Sequence, residues 1–177
     1  MTPPHVLDTG PLSHFAKQQW PGVLRAVVND RDALIPDAVE VELRAGVGSH
    51  PHLQFVVDAS WLQPVELVGE VELEAYAKFS RYLVVRERNR GEAAVLALAS
   101  ISGGVAVVDD SAARKVADRH GVEHIGTLGL LCESIRSGLL TVRLVAQLAD
   151  HLLEGEYRLP FLPGGFEKWA ADNGLVG

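Results

Sequence analysis

The chain has 177 residues, 47% of them hydrophobic, a length that buries one core and fits a single domain. Its 23 acidic side chains outnumber 16 lysines and arginines for a net charge of −7, so no global positive field gathers nucleic acid and any such contact needs a local basic patch. The single cysteine, Cys132, excludes an intrachain disulfide and a cysteine-built zinc site, and reads as a small buried hydrophobe.

The opening MTPPHVLDTG lacks the basic flank and apolar core of a signal peptide. No run approaches the roughly 18 to 20 apolar residues that span a bilayer, so the expected compartment is a bacterial-type cytoplasm with no membrane partner. In chain order, a strand at His5–Leu7 leads into Asp8, and Pro11 opens a helix over Pro11–Gln19. A second strand, Ala33–Ile35, leads into Pro36-Asp37, which opens a helix to about Arg44 with Gly46 past its end. Val39 and Leu43, at i and i+4, give that helix its buried stripe. Glu70–Tyr82 is a polar-faced helix, and Gly91–Ile101 an alanine-rich one that stops at Gly103-Gly104. Strand Val105–Val108 runs into Asp109, and helix Ser111–His120 follows. Strand Val122–Ile125 leads into Gly126, ahead of helices Thr127–Ser137, Thr141–Leu153 with Thr141 as its cap, and Phe166–Asp172. Strands alternating with helices predict an α/β protein with a mainly parallel sheet. No repeat or linker divides the chain, which reads as one domain over 1–177 with a helical tail from about residue 154.

The positions of the carboxylates carry the functional signal. In an open parallel sheet, ligands bind outside the carboxyl ends of the strands, where Asp8 and Asp109 fall, with Asp110 next in line. Each of these has a second reading as a helix cap. Glu42 lies towards the C-terminal end of its helix, where the macrodipole disfavours an anion, on the flank of the Val39 and Leu43 stripe; Glu40 points away and reads as solvated surface. Glu92 opens its helix, where the dipole welcomes an acid, and the alanines behind it allow close packing on a sheet. Acids converging on one crevice repel one another unless a cation offsets them. Oxygen ligands of this kind suit Mg²⁺ or Mn²⁺ and the metal-assisted hydrolysis of a phosphodiester.

The segments VLDTGPL (from Val6), IPDAVEVELRAG (from Ile35), RGEAAVLALA (from Arg90) and VAVVDDSAARKVADRHGVEHIGTLGLL (from Val105) resemble, in order and spacing, the PIN domain. The resemblance is to the bacterial branch containing DUF3368 proteins, related to the toxin nucleases of VapBC-type pairs, and covers about Val6 to Gly138. It implies a Rossmann-like three-layer α/β/α sandwich and a metal-dependent endoribonuclease cutting single-stranded RNA to 5′-phosphate and 3′-hydroxyl ends. The family's four acids fall on Asp8, Glu42, Glu92 and Asp109, with Asp110 assisting. Asp8, Glu92 and Asp109 are the implied metal ligands, and Thr9 and Ser111 the small hydroxyls beside the metal. The resemblance further implies a toxin with a cognate antitoxin protein, and a homodimer. A non-cleaving PIN-like protein that binds RNA or a partner is the alternative. A phosphotransfer domain fits poorly, because Asp8 is followed by Thr9 and Gly10 rather than a second aspartate two places on.

Arg81, Arg86, Arg88 and Arg90, just ahead of Glu92, are candidate grips for the RNA backbone, with Tyr82 available to stack on a base; Arg114 and Lys115 form a second pair. Their other reading is a solvated charged surface. Gly126-Thr127-Leu128-Gly129 lacks the glycine and lysine of nucleotide-binding loops and reads as tight strand-to-helix packing. His50 and His52 lack a third ligand with suitable spacing and read as a surface loop; Ser13 with His14 makes no nucleophile elbow. Phe166 and Trp169 are expected to pack on the core.

Overall fold

Five parallel strands form one sheet in the computed structural model, which describes residues 2–28 and 31–174. They are β1 (His5–Leu7), β2 (Ala33–Pro36), β3 (Leu62–Val65), β4 (Val105–Val107) and β5 (His124–Ile125), in the order β3-β2-β1-β4-β5. The register pairs Leu7 with Val107 and Ile35 with Pro64. Among the described residues ten α-helices accompany the sheet: α1 (Thr9–Lys17), α2 (Pro21–Val28), α3 (Asp37–Gly46), α4 (Gln54–Val57), α5 (Glu70–Leu83), α6 (Arg90–Ser102), α7 (Ser111–His120), α8 (Thr127–Arg136), α9 (Val142–Glu154) and α10 (Phe166–Asp172). Right-handed crossovers put α1 to α4 on one face and α5 to α7 on the other, which gives the three-layer sandwich.

The core sits where the sequence is most apolar. Val6, Leu7, Ala106 and Val107 are fully buried, because the central strands are covered on both faces. Helix α6 lies against β1, β2 and β4, and Ala93 through Ala99 are all buried; the alanines permit that approach. Gly103, at a φ of 64°, ends α6 in the left-handed region where a side chain is disfavoured.

Three departures from the sequence reading have physical causes. Strand β3 carries the sequence LQPV, with Gln63 and Pro64 exposed, and holds the sheet's edge, where proline's missing N–H is tolerated. Helices α2 and α4 are short, and α4 is a single turn that continues a 3-10 turn at Pro51–Leu53. Helix α1 begins at Thr9, before Pro11, because Asp8 supplies the cap; α3 runs on through Gly46. The tail packs home: Phe166 and Ala170 are buried against α9, with Trp169 partly buried beside them. Cys132 is buried, and burial pushes its thiol pKa up.

The β5–α8 turn is tight, as its glycines suggest. A Cβ on Gly129 would stand 2.5 Å from Ile125 Cγ1, the γ-methylene of a β-branched side chain with restricted χ1. Gly129→Ala is expected to lower the unfolding free energy by about 1 to 3 kcal/mol, read from a shift in the denaturation midpoint at constant slope.

Candidate functional site

The strand order reverses between β1 and β4, so the crevice of this sheet opens at their carboxyl ends. Asp8 follows β1 there. Its backbone N–H donates to Val107 O at 3.1 Å, which fixes the residue to β4, and its side chain accepts the Gly10 N–H at 3.5 Å as the α1 cap. Asp8 is only 5% exposed, and its Oδ1 is buried without a hydrogen-bond partner. Burial, then the charges of Glu92 and Glu42, push its pKa up to about 8, although the amides of Thr9 and Gly10 pull the other way.

Glu42 and Glu92 reach the same place from opposite layers. Thr9 Oγ1 donates to Glu42 Oε2 at 2.6 Å and the Gly91 N–H donates to Glu42 Oε1 at 3.2 Å, so the side chain is held across the gap from α3 to α1 and α6. A Cβ at Gly91 would stand 2.8 Å from Glu42 Oε2, so a side chain there would push the carboxylate aside. Glu92, half-buried in the first turn of α6, has its pKa raised by burial and by the charges of Glu42 and Asp110. Glu40, by contrast, pairs with Arg44 at 2.7 Å on the surface, as expected.

Asp109 and Asp110 part company. Asp110 caps α7, accepting the Ala113 N–H at 2.9 Å, and its charge bears on Glu92. Asp109 turns towards α8 instead. Its Oδ1 accepts the Thr127 N–H and the Tyr157 hydroxyl, and its Oδ2 the Thr127 hydroxyl, each at 2.7 Å. Its carboxylate thus serves three donors within the protein. Tyr157, which the sequence reading missed, lies in the segment after α9. Burial and the Asp109 charge push its phenol pKa up, so it stays a donor. His14 packs edge-on against its ring at 4.4 Å. Nothing near Tyr157 in the sequence marks it, because its partner is 48 residues away.

Ser111, exposed, opens α7 beside Asp110. Arg81, Arg86, Arg88 and Arg90 are exposed around the loop between α5 and α6; Arg86, Glu87 and Asn89 all adopt left-handed backbone, at roughly 1 to 3 kcal/mol each. Arg90 pairs with Glu87 at 3.1 Å. A groove of about 640 Å³ lies there, lined by Glu42, Arg90, Tyr76 and Leu73 among others. Tyr82 has His120 against its ring and Arg119 over it. Arg114 and Lys115 are exposed on α7, with Arg114 close enough to Tyr157 to act on it.

A family model for the PIN domain (DUF3368) matches residues 4–161. The chain belongs to the PIN-domain family. PIN domains are generally nucleases, which supports a hydrolase role for this one. No curated protein matches the chain significantly. Among the described residues, no helix is long and apolar enough to cross a membrane.

PIN nucleases usually use divalent metals, and the donor set bears on that directly. No three His, Cys, Asp or Glu side chains among the described residues are gathered closely enough to hold an ion between them. Mg²⁺ does not require that: it retains several waters and binds through one or two carboxylates. The unpartnered Asp8 oxygen, with Glu92 and Glu42 pressing on it, fits such a cation.

Two outcomes follow. The folded, metal-free chain keeps a proton on Asp8 up to about pH 8, whereas the unfolded chain releases it near its ordinary value of 3.8, so this group lowers stability as pH rises between them. Buried His5, held down to about 4, opposes that trend only below about its unfolded value of 6.5. In EDTA the melting temperature should therefore fall between pH 6.5 and 8, and Asp8→Asn should flatten the decline. Tyr157→Phe, which leaves Asp109 short of a donor, should cost about 1 to 3 kcal/mol in denaturant unfolding.

Proposed function

We propose that the protein is a divalent-metal-dependent endoribonuclease acting on single-stranded RNA. The observation that carries this reading is the buried Asp8 carboxylate oxygen, left without a hydrogen-bond partner at the sheet's switch point and flanked by acids. Burying a carboxylate among like charges is costly, and a resident Mg²⁺ or Mn²⁺ relieves it.

Asp8 would hold the ion, with Glu92 and Asp110 acting on it through its retained waters. When bound, the ion polarises the phosphoryl oxygen and lowers the pKa of the attacking water. Thr9 and the Gly91 amide hold Glu42 at the inner wall, where its negative charge adds to the pull on the cation. Asp109 acts one layer back: by tying β4's end to Thr127 and Tyr157, it fixes the turn that presents Asp110. The exposed arginines around the α5–α6 loop stand beside this crevice and suit an RNA backbone. The family resemblance extends the proposal to the toxin of a type II toxin–antitoxin pair, tested by growth arrest on induced expression and its relief by Asp8→Asn.

With Mn²⁺ and single-stranded RNA, Asp8→Asn, Glu92→Gln and Asp110→Asn should each reduce cleavage at least about 100-fold while the circular dichroism spectrum is retained. Gly91→Ala should reduce it about tenfold by displacing Glu42. A crystal soaked in Mn²⁺ should show anomalous density at Asp8. Full activity in the Asp8 and Glu92 variants, or density elsewhere only, would overturn the assignment.

A further inference from the structure

A second cluster of chemistry-bearing side chains lies at the far end of α1. Ser13, His14 and Lys17 from that helix meet His50 and His52, from the segment after α3, around a recess of about 250 Å³ closed by Leu53 and Gly155. The two histidine rings stand 5.6 Å apart. Burial lowers the pKa of both His52 and His14; the charges of His50 and Lys17 add to this at His52, and at His14 Asp109 opposes it while Lys17 adds to it.

This recess is chemically unlike the rest of the molecule. In a protein of net charge −7, its lining contains no carboxylate, and among the described residues none of its cationic or imidazole groups forms an ion pair. Arg90 is paired with Glu87, and Arg44 is paired with Glu40. Lys17 gives one N–H to Gly155 O at 3.1 Å and keeps two for a ligand. Among the lining side chains with polar atoms, Lys17 only donates, while the Ser13 hydroxyl and the three imidazoles can donate as well as accept. With an ammonium and no carboxylate among them, the set suits phosphate oxygens.

Its position points to the same ligand. The Thr9–Glu42 hydrogen bond joins α1 to α3 at the acidic crevice, and both segments run from that bond to the recess, reaching Lys17 on one side and His50 on the other. Eight residues of helix separate Thr9 from Lys17, about 12 Å. A few nucleotides of extended single strand cover such a distance.

We propose that this recess is a subsite for a backbone phosphate of single-stranded RNA, a few nucleotides from the bond at the acids; it rests on the nuclease reading of that crevice. Lys17 supplies the fixed charge, and Ser13, His50 and His52 orient the phosphate.

The test is binding of a fluorescent 12-nucleotide single-stranded RNA to the Asp8→Asn protein in Mg²⁺, with cleavage by the unmutated chain measured separately. Lys17→Gln and the double change His50→Gln with His52→Gln should each weaken binding at least fivefold. Lys17→Gln should also lower the salt slope by about 0.7, the loss of one phosphate contact on a single strand. Lys168→Gln, on α10, is the control and should bind as the parent does. The histidine pair matters because Lys17 also holds Gly155, whereas His50 and His52 make no contact with the acids. Affinities within twofold of the parent in both variants, or a parent that does not bind RNA, overturn the subsite. Cleavage with unchanged affinity would leave the nuclease standing without it, and weakened binding in a protein that never cuts would uphold the subsite and sink the nuclease.

Discussion

A carboxylate placed at the end of the central strand, out of reach of water and short of donors, sets the terms for the rest of the molecule. Asp8 cannot move away, because its amide is part of the β1–β4 ladder and its neighbour Thr9 begins α1. Folding must therefore accept a group whose charged form is disfavoured there, and the surrounding packing supplies the stability to do so. Apart from His5, strands β1 and β4 are apolar, and α6 lies against them with a run of alanines, so a tightly packed part of the protein carries this unfavourable side chain. A site held this way is preorganised: the cation meets acids that are already in position.

The two layers communicate through Glu42. It belongs to α3, yet its hydrogen bonds go to α1 and to the first turn of α6 on the other face. The missing side chain at Gly91 leaves room for that contact, a role unconnected with backbone freedom. The loop that leads into α6 has left-handed backbone at Arg86, Glu87 and Asn89.

Much of this was legible in the sequence, and the failures are instructive. Acids after β-branched runs marked the strand ends, and the alanine-rich helix behind Glu92 marked the element that packs closest to the sheet. The partners of the two adjacent aspartates were not legible. Asp109 is held by Thr127 and Tyr157, 18 and 48 residues beyond it, and Asp110 by the Ala113 amide it caps. Long-range hydrogen bonds leave no periodic trace. For the same reason His50 and His52 looked isolated: the groups that join them come from α1, brought by helix packing alone. Strand β3 escaped notice because only Leu62 of its four residues is buried, so no hydrophobic alternation announces it.

That same strand bears on how the chain behaves when many copies are made at once. An open sheet has two rims, each a template on which a neighbouring molecule can extend the ladder. Here one rim is β5, two residues long, and the other is β3, interrupted by Pro64. Neither offers a continuous row of amide hydrogens, so the geometry guards the protein against stacking into fibres while leaving the crevice at the strand ends open.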